Sequence, residues 1–145
     1  MATLNMDRRF DAPPETVFEM ITQSAMLLQW WGPEGTTIAE HNLDFSKPGP
    51  WFAVMVGPQG HPAKVGGEVL NIAPNRSVQL TLSFLNDMDE PLDTSTITFE
   101  TLPDGKGGTD FRLTQTGLKA EYIPDMMNKG WNSALQRLAD LINQP

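Results

Sequence analysis

Between Glu121 and Ile142 the apolar residues Ile123, Met127, Trp131, Leu135, Leu138 and Ile142 recur every three or four positions. That is the spacing of one face of an α-helix. Polar Asp125, Asn128, Lys129, Asn132, Gln136, Arg137 and Asp140 fill most of the other side. Pro124 falls in the first turn, where its missing amide has no intrahelical partner to lose. At about 1.5 Å per residue such a helix is about 30 Å long, enough to cross a small domain. Gly130 stands out, because a glycine inside a helix costs about 1 kcal/mol relative to alanine. The expected reason is a close approach beside Trp131, the largest side chain on the stripe. An apolar stripe of this length needs a surface to cover, and the rest of the chain has to supply it.

The chain upstream supplies it as strands. Thr3–Phe10 reads as a first strand, ended by Asp11-Ala-Pro-Pro14. Asp11 is a candidate cap for a helix carrying Val17, Phe18 and Ile21, and Ser24 for a second with Met26, Leu27, Trp30 and Trp31. Gly32-Pro33 stops that helix. From Gly35 the period changes. Thr36–Phe45, Trp51–Val56, Lys64–Ile72, Ser77–Leu85, Ser95–Leu102 and Thr109–Thr116 read as strands. Turn signals separate them: Lys47-Pro-Gly-Pro50, Gly57-Pro-Gln-Gly60, Pro74-Asn75, Asn86–Pro91 and Pro103-Asp-Gly-Lys-Gly-Gly108. In Val78-Gln-Leu80-Thr-Leu82-Ser-Phe84 the alternation buries one face and wets the other. Short turns make an antiparallel meander, and the bridge between the first two strands is too short for a parallel crossover. The expected fold is α+β of helix-grip type: a seven-stranded curved antiparallel sheet wrapped around a long C-terminal helix, with two short helices between strands 1 and 2.

Composition narrows the function classes. A chain of 145 residues, 39% hydrophobic and 19% charged, reads as one globular domain spanning residues 1–145. A net charge of −8 argues against nucleic acid, whose phosphates call for clustered Lys and Arg. With no cysteine there is no disulfide framework and no thiolate chemistry. No apolar run approaches the length of a membrane span, so no membrane insertion is expected and a cytoplasmic location is the default.

Arg9-Phe-Asp-Ala-Pro13 followed by Val17-Phe18, then Trp30-Trp-Gly-Pro33, resembles the opening of the heat shock protein 90 ATPase activator homologue-like family. That family lies within the START/birch-pollen-allergen-like (SRPBCC) superfamily. Gly67-Glu-Val69, Pro74-Asn-Arg76, Gly108-Thr109 and Gly130-Trp131 before Leu135 and Leu138 extend the resemblance over essentially the whole chain. It departs at Pro48-Gly-Pro-Trp51, where the family often has Gly-Gly-x-Trp. The resemblance implies a helix-grip fold with a cavity between helix and sheet, used in the wider superfamily for lipids, steroids, polyketides or plant hormones. In some branches the same cavity serves cyclisation or hydrolysis. Chaperone activation is not carried over, because in the eukaryotic co-chaperone this domain is only one part.

The polar chemistry is sparse. His41 and His61 are separated, and no pair of histidines or carboxylates has metal-ligand spacing, so neither metal nor cofactor is expected. The serines lack a Gly-x-Ser-x-Gly setting. Gly105-Lys-Gly-Gly108 sits in a strand–strand turn and reads as a hairpin tip. The apolar inventory is richer: Trp31, Trp51, Met55, Val69, Leu82, Phe84, Phe99, Phe111, Met127, Trp131 and Leu135 are the candidate ligand-binding residues. The same residues would also make a filled core. Alternate turns of a meander lie at one end, which places Asn86–Pro91, Gly57–Pro62 and the link Gly117–Ala120 together. His61, Glu68 and Tyr122 are the polar candidates at that mouth, His61 and Tyr122 suited to orient a ligand or move a proton. Glu68 is drawn in by the room that Gly66 and Gly67 leave beside it. Parity sends Arg112 outward. Three readings remain: a domain holding a small apolar ligand, a cyclase- or hydrolase-like enzyme in the same cavity, and a protein-interaction module, including a homodimer or a chaperone partner. No catalytic residue is assigned.

Overall fold

A computed structural model describes residues 2–119 and 127–143. Seven strands form one antiparallel sheet: β1 (Ala2–Phe10), β2 (Thr37–His41), β3 (Gly49–Val56), β4 (Pro62–Ala73), β5 (Ser77–Leu85), β6 (Pro91–Pro103) and β7 (Thr109–Leu118). Their order across the sheet is β1-β7-β6-β5-β4-β3-β2. Strands β2 to β7 therefore follow one another as a meander, and β1 returns to lie beside β7, Phe10 opposite Thr109. Three helices complete the chain: α1 (Pro14–Thr22), α2 (Ser24–Trp30) and α3 (Asn128–Ile142). The curved sheet with its C-terminal helix is the helix-grip architecture expected above. The first turn expected of the long helix, with Ile123, Pro124 and Asp125, lies outside the described residues.

Alternation does in the sheet what the sequence suggests. Leu80, Ile97, Phe99, Phe111 and Leu113 point to one face and are almost wholly buried, with Leu135 and Leu138 of α3 among them in the core. Arg112, one position off that phase, is exposed and pairs with Asp7 at 2.9 Å. At the end of the sheet where β1 finishes, α1 buries Val17, Phe18 and Ile21 and α2 buries Leu27 and Trp30. Neither Asp11 nor Ser24 caps a helix. Pro13 and Gln23 occupy the cap positions without a side-chain bond, and Asp11 faces Arg9 at 3.6 Å.

The second strand ends four residues short of the expected Phe45, at His41. Leu43 and Phe45 keep the alternation of a strand but leave the sheet to enter the core, 1% and 0% exposed. The Phe45 amide is satisfied by the carbonyl of Thr22 at 2.8 Å rather than by a neighbouring strand.

Candidate ligand cavity

Because alternate turns of a meander fall at one end, the β3–β4 turn, the β5–β6 turn and the end of β7 meet at the end of the sheet away from α1. Two adjoining cavities open there. The outer one, about 550 Å³, is lined by Pro62, Lys64, Asp87, Leu92, Ser95 and Lys119 among others. The inner one, about 300 Å³, is lined by Trp31, Gly32, Pro33, Met55, Val65, Gly130, Trp131 and Ala134. Leu82, Phe84 and Met127 border both. The rim of the outer cavity is charged: Lys64 pairs with Asp89 at 2.7 Å and Lys119 with Asp93 at 3.3 Å. Lys64 also lies 5.4 Å from the ring centre of Phe52.

Of the apolar residues singled out from the sequence, the fold brings Trp31, Met55, Leu82, Phe84, Met127 and Trp131 to these walls. It does not bring Trp51, Val69, Phe99, Phe111 or Leu135, which are packed in the core at 2% exposure or less. Parity alone cannot separate the two sets, since all are inward-facing and only what covers the sheet decides which meet open space. His61 sits exposed on the β3–β4 turn and lines neither cavity. Tyr122 lies outside the described residues. Glu68 is exposed on β4, and the glycines before it serve another purpose than room for its side chain. A Cβ on Gly67 would collide with the Thr81 carbonyl, and one on Gly66 would sit 2.9 Å from the Trp51 carbonyl. The Glu68 amide donates to Thr81 Oγ1 at 2.9 Å, and the Thr81 carbonyl accepts from Trp51 Nε1 at 3.0 Å. Gly66-Gly67 thus lets β4 close on its neighbours and lets the Trp51 indole reach β5.

Two polar residues beside the cavity were not singled out from the sequence. Gln115, 0% exposed, accepts from Trp131 Nε1 at 2.8 Å and donates to Ser95 Oγ at 2.8 Å. Ser95 in turn donates to the Leu82 carbonyl at 3.3 Å. The signal was present. Gln115 shares the phase of Phe111 and Leu113, and Ser95 that of Ile97 and Phe99, so each is a polar residue on an inward position. Buried polar groups need partners, and these three residues provide them for one another.

Arg137 fixes the opposite wall. Its guanidinium donates to the carbonyls of Gln29, Trp31, Gly32 and Pro33 at 2.9–3.2 Å. These include carbonyls that the end of α2 leaves without intrahelical donors. Burial pulls the Arg137 pKa below its ordinary value, and Glu34 pushes it back. The Glu34 amide adds a bond to Ser133 Oγ at 2.7 Å, a second tie between this loop and α3. Among the described residues no three His, Cys, Asp or Glu side chains converge as a metal site requires.

Residues 11–143 match the family model described as Activator of Hsp90 ATPase homolog 1-like protein. The chain belongs to this family. Its SRPBCC superfamily is one of ligand-binding domains. A crystal structure of the AHSA1 protein from Silicibacter pomeroyi is 36% identical over 97% of each chain, with a TM-score of 0.91. A protein from Chromobacterium violaceum is 24% identical over 99% of this chain and 98% of its own, with a TM-score of 0.85. One from Arthrobacter aurescens is 21% identical over 99% of this chain and 87% of its own, with a TM-score of 0.84. These last two share the fold. No curated protein matches the sequence. In this activator-homologue-like chain, Trp31, Gly32 and Pro33 of the Trp-Trp-Gly-Pro motif, and both residues of Gly130-Trp131, line the inner cavity. Two of the stretches that carry the family resemblance therefore wall the space, while others, such as Val17-Phe18 and Leu138, belong to the packed core.

Proposed function

We propose that this protein binds a small apolar molecule in the inner cavity between α3 and the sheet, and holds it rather than transforming it. The observation that carries this reading is the wall: Met55, Val65, Leu82, Phe84, Met127 and Ala134 surround about 300 Å³. Space of that kind at the mouth of a curved sheet is where proteins keep apolar ligands. The fold supports the reading, since SRPBCC-type domains are a ligand-binding class. The enzyme reading loses two of its three residues, because His61 and Glu68 are exposed and line neither cavity. Tyr122 is the residue left to it. Among the described residues no helix is long and apolar enough to cross a membrane, so insertion through a helix there has no support.

Native mass spectrometry of gently purified protein, with a parallel titration of the neutral probe N-phenyl-1-naphthylamine, tests this. The expected result is a small-molecule adduct on the folded protein, or a probe signal that Ala134→Phe abolishes by filling the cavity. Protein at its bare sequence mass that gives no probe response would sink the reading. The same spectrum counts subunits and so tests the expected homodimer.

A further inference from the structure

The two cavities at the open end differ in what lines them. Among the described residues no charged side chain reaches the inner one. The outer one gathers Lys64, Asp87, Asp89, Asp93 and Lys119. Leu82, Phe84 and Met127 line both, so the same three residues border the apolar space on one side and the charged space on the other. Phe84 and Met127 are only half-buried. The inner volume, about 300 Å³, stands at the small end of the range for ligand sites, and the outer space, about 550 Å³, extends it well into that range.

A molecule that reaches across this boundary meets two environments. In the inner one a charged group would lose its water and gain no charged partner. An apolar body belongs there, and a charged end belongs in the outer space. The sign of that end follows from the groups already present. Lys64 pairs with Asp89 at 2.7 Å and Lys119 with Asp93 at 3.3 Å, so each of these ammonium groups has its carboxylate. Asp87, exposed on the turn between β5 and β6, lines the same space as a third carboxylate. A carboxylate on the ligand would have to draw a lysine from its partner and would face Asp87 as well. An ammonium meets the surplus of negative charge, in a chain whose net charge of −8 also concentrates cations around it.

We propose that the two cavities form one site for a cationic amphiphile, its apolar body in the inner space and a protonated amine at its end in the outer one. This rests on the ligand-binding reading above and adds the polarity of the ligand and the sign of its charge.

The test titrates octylamine, 1-octanol and octanoate, which share a chain and differ in the charge of its end, by calorimetry at neutral pH and low salt. Octylamine should bind about fivefold more tightly than octanoate, and added salt should narrow the gap. Asp87→Lys, on an exposed turn, should move the ratio of the two affinities about fivefold toward octanoate and leave octanol unchanged. Glu19→Lys makes the same change in net charge on α1, at the closed end, and should leave the ratio nearly where it was. Met55 lines the inner cavity and not the outer. In protein carrying ¹³C-methyl methionine its signal, assigned by its loss in Met55→Leu, should therefore move with octylamine. Octanoate binding as tightly as octylamine, or a ratio that Glu19→Lys moves as far as Asp87→Lys does, overturns the cationic end. A Met55 signal unmoved by saturating octylamine overturns the single site. If N-phenyl-1-naphthylamine binds and none of the octyl compounds does, the amphiphile is overturned and the ligand-binding reading stands. If nothing binds, the ligand-binding reading falls and the amphiphile with it.

Discussion

The two ends of this sheet are built from the same alternation of apolar and polar residues and come out differently. At one end Phe99, Phe111, Leu113 and Leu138 pack with Val17 and Ile21 of α1, each 1% exposed or less. At the other, Leu82 and Trp131 keep 7% and 8%, Met55 and Phe84 are only half-buried, and open space lies between them. The strands do not make this difference. The closed end is sealed by two helices arriving between β1 and β2, whereas the open end faces small residues, Gly32, Gly130 and Ala134. A cavity here is a property of what covers the sheet.

The largest expected effect tests that contrast directly. Phe99→Ala, at the closed end, should cost about 3–5 kcal/mol, because neighbours packed on all sides cannot collapse into the gap. Phe84→Ala, at the open end, should cost about 1–2 kcal/mol, since part of its surface already meets space. Urea unfolding of both variants reads the difference. Equal losses would mean that the open end is packed like the closed one.

The polar network beside the cavity comes next. Gln115→Leu leaves Trp131 Nε1 without its acceptor and Ser95 Oγ without its donor, which should cost about 1–3 kcal/mol. Adding Trp131→Phe should cost less in that background than in the wild type, because the donor it removes is already orphaned. Strict additivity in such a cycle would show that the Trp131–Gln115 bond carries no weight.

A further contrast appears in acid. At the closed end the Asp104 carboxylate accepts from the amides of Lys106 and Gly108 and from Arg9. These bonds, the Lys106 amide foremost, hold its pKa below the ordinary 3.8 against the opposing pull of burial. A pKa depressed by folding contributes stability that is complete above the unfolded value and is lost as pH falls through the folded one. Asp104→Asn should therefore be less stable than wild type at neutral pH and converge with it below pH 3.8. At the open end, Asp89→Asn breaks an exposed pair with Lys64, and about 0–1 kcal/mol is expected. A pH-independent loss for Asp104→Asn would remove the carboxylate's charge from the explanation.

These contrasts also mark what the sequence discloses. Alternation and turn residues are local, and they sufficed for the meander, for the inward phase of Leu80, Ile97, Phe99 and Phe111, and for the helix stripe around Trp131 and Leu135. They misled at Leu43 and Phe45, where strand-like spacing serves a loop that plugs the core. Filled and open positions were indistinguishable, because Phe99 and Phe84 share a phase and differ in what meets them: Phe99 packs on Phe111 and Trp131, whereas Phe84 borders open space. Gln115 and Ser95 were visible as polar residues on inward positions, but whether they find partners depends on the register of β6 against β7 and on Trp131 from α3. Trp31 was legible as a wall residue, while the ion pairs at the rim of the outer cavity needed three-dimensional neighbours to be seen.

Gly130 gives the finest test of the open end. The sequence suggested a close approach, since glycine inside a helix otherwise sacrifices stability. The structure shows no crowding there. A Cβ at Gly130 would find only Pro33 Cγ within 4 Å, at 3.9 Å, which is ordinary contact. Because Gly130 lines the inner cavity, its missing side chain adds to the room for a ligand. Gly130→Ala should then gain about 1 kcal/mol from helix propensity, seen as a melting temperature raised by a few degrees. The same methyl should weaken binding of N-phenyl-1-naphthylamine several-fold. A raised melting temperature with unchanged binding would mean that the glycine does not shape the site. A lowered one would mean that the space beside Pro33 is occupied in solution, and the contrast between the two ends would have to be redrawn.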